Sequence, residues 1–246
     1  MQAWSRFWRG LVARPVRQAW GLAASGPAWS LVGLSLQAPD LVRVHTTRQL
    51  LSTDGVMGDG LGAQLREAGT TRGRSRQRVS MALAADQLVS GVLEFPAQTP
   101  KEDWVTEVQL EVSQMLGKEP DEVNFDFQPE GPGDGPVQRV HWVGCCQSHV
   151  DDFKRCVRFA GWQLDSVEPA VHAAQRAASA LQGGLASLLT QPTQDWQFAL
   201  GRVRDVSEQA PFHPLAFMPD PALQQAMKSE AGARLVASGL ALKAWL

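Results

Sequence analysis

The sequence contains few cysteines and no long apolar run. Its 246 residues include only three cysteines, two of them adjacent, so they do not form the framework of paired cysteines typical of small secreted domains. No stretch of about eighteen uninterrupted apolar residues occurs, which argues against a membrane-spanning helix. The cysteine pattern favours a reducing compartment, and we expect a cytoplasmic location.

Acidic residues are absent from the first 28 positions, which contain four arginines instead. The arginines interrupt the region where the apolar core of a signal peptide would lie. Apolar residues at helical spacing predict a basic amphipathic arm, either in peripheral contact with an anionic membrane or packed on its own domain or a partner. The residues concerned are Arg6, Arg9, Arg14 and Arg17, with Trp4, Phe7, Trp8, Leu11 and Val12 on the apolar face.

The charge balance of the chain gives no reason to expect a nucleic-acid partner. The formal net charge is -2, whereas nucleic-acid binding depends mainly on a clustered basic surface that neutralises phosphate. An apolar fraction of 44% is ample for a buried core, so the chain should be globular. Its length fits one large domain or two small ones.

Metal-capable side chains are present, but their spacing does not fit a metal site. The one cluster combines two histidines with all three cysteines of the chain. Adjacent cysteines on a strand point to opposite faces, and no Cys-x-x-Cys pair occurs. We therefore expect no metal at the cluster, which comprises His141, Cys145, Cys146, His149 and Cys156.

Carboxylates and nucleophiles also lack a catalytic arrangement. Asp151 and Asp152 could form an acid-base set with Glu168, but they are expected in the first turn of a helix, where unpaired N–H groups favour negative charge. His172 lies in an alanine-rich stretch and is interpreted as a core or rim histidine. Neither a Gly-x-Ser-x-Gly elbow nor a phosphate-binding Gly-x-x-x-x-Gly-Lys-Ser/Thr loop occurs. We expect no enzyme, no catalytic residue and no cofactor.

Predicted strands and helices alternate along the rest of the chain. Turn residues at 37–40 between two apolar runs predict a hairpin. Thr99 and Glu102 have the spacing of a capping box, Gly117 is a natural helix stop, and Ser148 is the expected cap of the next helix. The predicted helices are 60–68, 99–116, 148–160, 169–181 and 231–245, and the predicted strands are 31–36, 41–44, 79–83, 123–127, 137–144 and 162–167. This alternation predicts an α/β or α+β architecture.

The aromatic composition is unusual, and tryptophan and arginine are the residue types enriched in binding hot spots. The chain has nine tryptophans and no tyrosine. Trp104, Trp142 and Trp162 are predicted to belong to the core of one inserted subdomain, with a partner surface as the alternative. The arginine run at positions 72, 74, 76 and 78 is interpreted as a solvated loop that leads into a strand.

Four segments between positions 79 and 181 carry a family resemblance. Val-Ser-Met-Ala-Leu (79–83) and Val-Leu-Glu-Phe-Pro (92–96) look like two successive strands. Residues 122–127 read Glu-Val-Asn-Phe-Asp-Phe after a long helix, and residues 161–174 look like a strand and helix that return to the first subdomain. Together, over somewhat less than half of the chain, they resemble the type IV pilus assembly protein PilM family.

The resemblance implies an actin-like, ribonuclease H-like first lobe with an inserted small α+β subdomain. The core lobe would comprise residues 29–85 and 169–246, the insertion residues 86–168, and the basic arm residues 1–28. The family's nucleotide-facing second lobe needs many more residues than separate the helix at Pro169 from the last helix. We therefore expect that lobe to be mostly absent.

The resemblance also implies that the nucleotide site is lost. In actin-like proteins the first strand leads into a loop with glycine and an acid, which approach phosphate and orient the metal. With residues 32–38 taken as that strand, Ser35, Gln37 and Ala38 stand where an acid, a glycine and a hydroxyl residue would be. Three such losses together predict that nucleotide chemistry is absent.

The function implied is a non-catalytic cytoplasmic scaffold at the inner membrane. It would bind the cytoplasmic tail peptide of a PilN-like membrane protein in the groove between core and insertion, and other pilus platform proteins are further candidate partners. Two rivals stay open: a cytoplasmic L-type component of type II secretion, and a residual nucleotide-binding ATPase that nucleotide would stabilise against heat. By position, the groove residues would be Leu83, Ala84, Ala85, Glu168 and Pro169.

Overall fold

Two β-sheets organise the computed structural model, which describes residues 18–26, 28–51, 59–69, 77–130, 135–202 and 220–246. The larger sheet contains β1 (Gln18–Ser25), β2 (Ala28–Ala38), β3 (Leu41–Leu51), β4 (Arg78–Leu83), β8 (Gln163–Pro169) and β9 (Gln197–Ala199). The smaller sheet contains β5 (Val89–Pro96), β6 (Val123–Pro129) and β7 (Val137–Cys146). The helices are α1 (Asp59–Ala68), α2 (Lys101–Leu116), α3 (Gln147–Phe159), α4 (Ala170–Ala180), α5 (Ser187–Thr190), α6 (Pro221–Lys228) and α7 (Gly232–Leu242).

The larger sheet has the strand order β8-β4-β1-β2-β3-β9. β1, β2 and β3 form an antiparallel meander, whereas β4 runs parallel to β1 and β8 runs parallel to β4. Three antiparallel strands followed by two parallel ones is the ribonuclease H-like arrangement. The expected α/β fold class is confirmed.

Helices cover both faces of the larger sheet because its strands alternate apolar residues between the faces. Ala19 and Ala23 of β1 pack on the side of α4 and α7. Trp20 and Leu22 point the other way, into a core shared with α1 and α3. Strands buried on both faces read as almost continuous apolar runs. The main lobe is therefore a three-layer structure with one core on each side of the sheet.

Helix α7 is almost wholly buried, and two glycines allow its close approach to neighbouring backbones. A Cβ added at Gly21 of β1 would lie 1.9 Å from the carbonyl oxygen of Ala237, and one at Gly239 would lie 1.7 Å from that of Ala173. Both distances are far below van der Waals contact. Any side chain at these positions would push α7 away from β1 or α4.

The smaller sheet and α2 form a separate third core. Trp104, Val108 and Val112 of α2 pack against Val140 and Trp142 of β7. As predicted, α2 ends at Gly117, which has the left-handed φ of 60° that favours glycine. Trp104 and Trp142 belong to this core as predicted, whereas the prediction was wrong for Trp162, which is buried in the main-lobe core shared with α1 and α3.

The expected N-terminal arm was too long, because residues 18–25 form β1. This strand lies between β2 and β4 in the larger sheet, so its small residues are core positions. The apolar face and the four arginines that define the arm lie outside the described residues, as do Arg72, Arg74 and Arg76.

Two predicted helix caps were displaced by one or two residues. Helix α2 begins at Lys101 with Pro100 in the cap position, and α3 begins at Gln147 with Cys146 in the cap position. Neither cap uses a side-chain hydrogen bond. The extended backbone at Pro100 and Cys146 continues directly from the preceding segments, so Thr99 and Ser148 do not occupy the caps.

The insertion was predicted to extend too far toward the C-terminus. Helix α3 packs on α1 of the main lobe, and β8 pairs with β4 inside the larger sheet. The chain therefore returns to the main lobe where β7 ends at Cys146. Residues 184–202 lie beside the main lobe, where β9 pairs with β3.

Candidate functional site

A cleft of about 440 Å³ lies between the smaller sheet and the main lobe. One wall is built by residues 124–126 of β6 and 143–145 of β7, and the other by residues 164–169 of β8. Leu83 at the end of β4, Leu88, Val150 and Lys154 complete the lining. Among the pockets of the described residues, this one joins the two subdomains.

The walls of this cleft include the outer edges of two strands. β8 is the terminal strand of the larger sheet and β6 a terminal strand of the smaller one. Successive side chains of a strand point to opposite faces, so a pocket on a sheet face involves every second residue. Both terminal strands line the cleft, β8 with residues 164–169 and β6 with residues 124–126, whereas the central β7 contributes residues 143–145 near its end. Within the described residues, no strand pairs with either edge.

Half-buried apolar side chains connect the two cores across the cleft. Leu88, Val150, Leu164 and Val167 pack on the core shared with α1 and α3, whereas Phe125 packs on the core of the insertion. All five border the cleft. An apolar side chain that entered here would bury its own surface and theirs, at about 25 cal/mol per Å² of apolar area.

The charged residues at the rim are mostly paired. Lys154 Nζ lies 2.9 Å from Asp151 Oδ1, and Arg78 Nη1 lies 3.3 Å from Asp165 Oδ1. The hydrogen bonds from Lys154 and Gln147 lower the pKa of Asp151. Asp126 is exposed at the rim. The cleft thus has an apolar floor and a rim of mixed charge.

The predicted groove residues divide into two groups. Leu83, Glu168 and Pro169 border the cleft, because β4 and β8 are parallel and their carboxyl ends lie side by side. Ala84 and Ala85 are exposed in the short turn after β4 and do not line it. The cleft residues of β6, β7 and α3 were not predicted, nor were Leu88 and residues 164–167 of β8, because their position in the cleft depends on how the two subdomains pack.

The carboxylate of Glu168 belongs to a buried ion-pair cluster. Its oxygens lie 2.5 and 2.9 Å from the two terminal guanidinium nitrogens of Arg176, and one lies 3.2 Å from Lys243 Nζ. Arg176 also donates to the carbonyl oxygen of Gly239 at 2.8 Å. Burial alone would raise the pKa of Glu168, but the hydrogen bonds and charge of Arg176, with the charge of Lys243, outweigh it and lower that pKa. The cluster ties the end of β8 to α4 and α7.

The other titratable candidates lie in environments that suppress their charge. Burial lowers the pKa of His172 to about 4, with Glu168 raising it and Arg176 and Lys243 lowering it further. Burial raises the pKa values of Cys145 and Cys156 to about 11, which leaves both thiols protonated at neutral pH. In the described part of the chain, no group of three metal-capable residues comes together.

The segment assigned to the phosphate loop was misplaced by one strand. The first strand is β1, and the run Val32–Ala38 belongs to β2. Ser35 and Gln37 lie near the β2–β3 turn, where Gln37 Nε2 donates to Ser35 Oγ at 2.9 Å. Ser25 of β1 pairs with Ala28 of β2, so only positions 26 and 27 separate the two strands in the sequence. Neither of these residues is acidic, and no acidic residue occurs among residues 18–39.

No protein-family model and no curated protein sequence matches the chain. One similar solved structure is a chain of a PilM-PilN type IV pilus biogenesis complex, with a TM-score of 0.53 and 17% identity over 89% of this chain and 71% of that one. At this identity the likeness shows the fold alone. No helix within the described residues has the length and hydropathy needed to cross a membrane.

Two further structures match at lower TM-scores. The cytoplasmic domain of EpsL, an inner-membrane component of the type II secretion system of Vibrio cholerae, gives a TM-score of 0.48 and 13% identity over 63% of this chain and 58% of that one. A Bacteroides thetaiotaomicron protein with an actin-like ATPase fold and unknown function gives 0.33 and 11%, over 67% and 58%. The chain therefore spans less than two thirds of either protein. The fold assignment rests on the first likeness.

Proposed function

We propose that this chain is a non-catalytic component of a pilus or secretion assembly machine at the inner membrane, and that its cleft holds an extended segment of a PilN-type membrane protein. The observation that carries the proposal is the pair of free strand edges, β6 and β8, that border one cleft. The likeness in fold to a chain of the PilM-PilN complex supports the choice of partner.

An extended peptide fits this cleft better than a compact ligand does. A free strand edge presents unpaired backbone N–H and C=O groups, and adding a strand satisfies them with main-chain hydrogen bonds. Alternate side chains of the added strand would then point toward the half-buried Leu164, Val167 and Phe125. Backbone pairing would give affinity, and these apolar contacts would select apolar side chains.

The proposal is tested by obstructing the cleft at an exposed position of β6. Asp126→Trp places a large side chain at the rim, where the wild-type residue is exposed. We expect a labelled peptide of the cytoplasmic tail of the PilN-type protein to bind at least about tenfold more weakly, which is about 1.4 kcal/mol. Fluorescence anisotropy measures the loss.

Gln128→Trp is the matched control, because residues 126 and 128 share a face of β6 and Gln128 does not border the cleft. Circular dichroism and the melting temperature should show both variants folded. Equal affinity of the two variants for the tail peptide would place its binding site elsewhere.

A further inference from the structure

The insertion has a second free edge on the side away from the cleft. Its strand order is β5-β7-β6, so β5 is terminal opposite β6, and no strand pairs with its outer edge in the described residues. A groove of about 500 Å³ runs along this edge, lined by the consecutive residues Leu93, Glu94 and Phe95. Leu93 and Phe95 share the face of β5 that packs on α2, and Glu94 between them points to the opposite face, as expected where a groove follows the outer edge of a terminal strand.

The hydrogen-bonding pattern shows which backbone groups of β5 are available in this groove. Glu130 N donates to the carbonyl oxygen of Arg139 at 2.8 Å, so the backbone of Arg139 points toward β6. Backbone directions alternate along an antiparallel ladder. The backbone N–H and C=O groups of Gln138 and Val140 therefore point toward β5, where these residues pair with Phe95 and Leu93. Glu94, which lies between them, directs its N–H and C=O away from β7 and into the groove.

Helix α2 forms the other wall and is acidic there. Asp103 and Glu107 line the groove together with Thr99 and Thr106. Both carboxylates are exposed, and neither has an ion-pair partner among the described residues. The helix N-terminus explains an acid at Asp103, since negative charge is favoured in the first turn. It does not explain Glu107, one turn further along.

The floor of the groove is apolar. Phe95 is buried and stacks on Trp104 of α2, with ring centroids 5.7 Å apart, and Leu93 is half-buried beside it. Residues four apart on a helix lie about 5–6 Å from each other, and alternate residues of a strand lie about 7 Å apart. Basic side chains at alternate positions of an added strand thus match the spacing of Asp103 and Glu107.

We propose that the groove between β5 and α2 is a second docking site, which binds an extended peptide with basic side chains at alternate positions by strand addition to β5. The basic side chains face Asp103 and Glu107, and the peptide backbone pairs with Glu94. The site is separate from the cleft, because β7 lies between β5 and β6. With both edges occupied, the insertion would connect two extended chains.

The probe is a blocked eight-residue peptide of alternating lysine and threonine, titrated into the full chain by calorimetry or NMR. Asp103→Lys combined with Glu107→Lys should weaken its binding at least about tenfold. The matched control combines Glu102→Lys with Glu111→Lys, which makes the same charge change on the same helix outside the groove. The control should bind within about threefold of wild type. Equal loss in both variants, or no loss in either, would overturn the proposal.

Strand addition is tested separately by methylating the peptide backbone. Only alternate amides of an added strand point toward β5. One peptide is methylated at its lysine amides and another at its threonine amides, and one of the two should lose binding while the other keeps it. Equal binding of both would contradict backbone pairing. The Asp126→Trp variant should bind the probe with wild-type affinity, which makes this result independent of the cleft.

Discussion

Glu168 is buried near the end of β8, with two basic side chains against its carboxylate. It was expected to contact a peptide, but its carboxylate is held by Arg176 and Lys243. Removing one partner of a buried ion pair leaves the other charge uncompensated, at a cost of about 3–5 kcal/mol. We expect Glu168→Gln to lower the free energy of unfolding by about 3 kcal/mol in urea denaturation. Asp152→Asn, which removes an exposed pair with Arg155, should change it little.

The same ion pair predicts how stability depends on pH. The folded-state pKa of Glu168 is lowered from its ordinary value of 4.5, so the unfolded state binds the proton more readily. Its contribution is complete above about pH 4.5 and is lost as the pH falls through the lower, folded-state pKa. Wild type should therefore lose more stability than Glu168→Gln over this acid range, and parallel curves would contradict the assignment.

At the residue scale, the predicted residues that do border the cleft lie at the ends of the two parallel strands β4 and β8. Leu83 and Pro169 end two parallel strands, so their proximity could be expected from the alternation of strands and helices. The position of residues 124–126 in the cleft could not be predicted, because no local sequence pattern indicates that β6 is a terminal strand of its sheet. That order depends on long-range pairing with β7.

At the element scale, replacing glycine by alanine should have opposite effects on stability in α7 and in α1. Gly239→Ala introduces a Cβ where Ala173 leaves no space, and we expect a loss of about 1–3 kcal/mol from overpacking. Gly60→Ala in α1 is also a glycine replacement in a helix, but its Cβ would meet nothing within 4 Å. It should be neutral or stabilise by up to about 1 kcal/mol, through helix propensity. Thermal denaturation of both variants checks the sign. Equal destabilisation would contradict the close contact between α7 and α4.

β1 was not predicted from the sequence, nor were α5, β9 and α6 in the stretch between α4 and α7. The apolar face of an amphipathic helix such as α2 can be predicted from residue spacing, and the end of α2 is marked by Gly117. β1 is buried on both faces and alternates large with small residues, as at Trp20 and Gly21, so it lacks the alternation of apolar and polar residues expected of a half-buried strand. Its place was decided by pairing with both β2 and β4.

At the scale of the whole molecule, we expect a protein whose stability does not respond to nucleotide. No acidic residue occurs among residues 18–39, which include the first two strands and the turn between them, so no carboxylate is available there to orient a metal and its water. Millimolar ATP with magnesium should leave the melting temperature unchanged. A saturable rise would show binding to the native state and would favour the rival ATPase function.

Amide hydrogen exchange with the tail peptide of the PilN-type protein tests the central claim most directly. A strand added in the cleft would shield edge amides of β6 and β8 that otherwise face solvent. We expect protection to increase at Phe125, whose N–H points away from β7, and at the outward-facing amides among residues 164–168. Asp126→Trp should abolish the increase and Gln128→Trp should preserve it. Binding of the peptide without protection of either edge would contradict the cleft as its site.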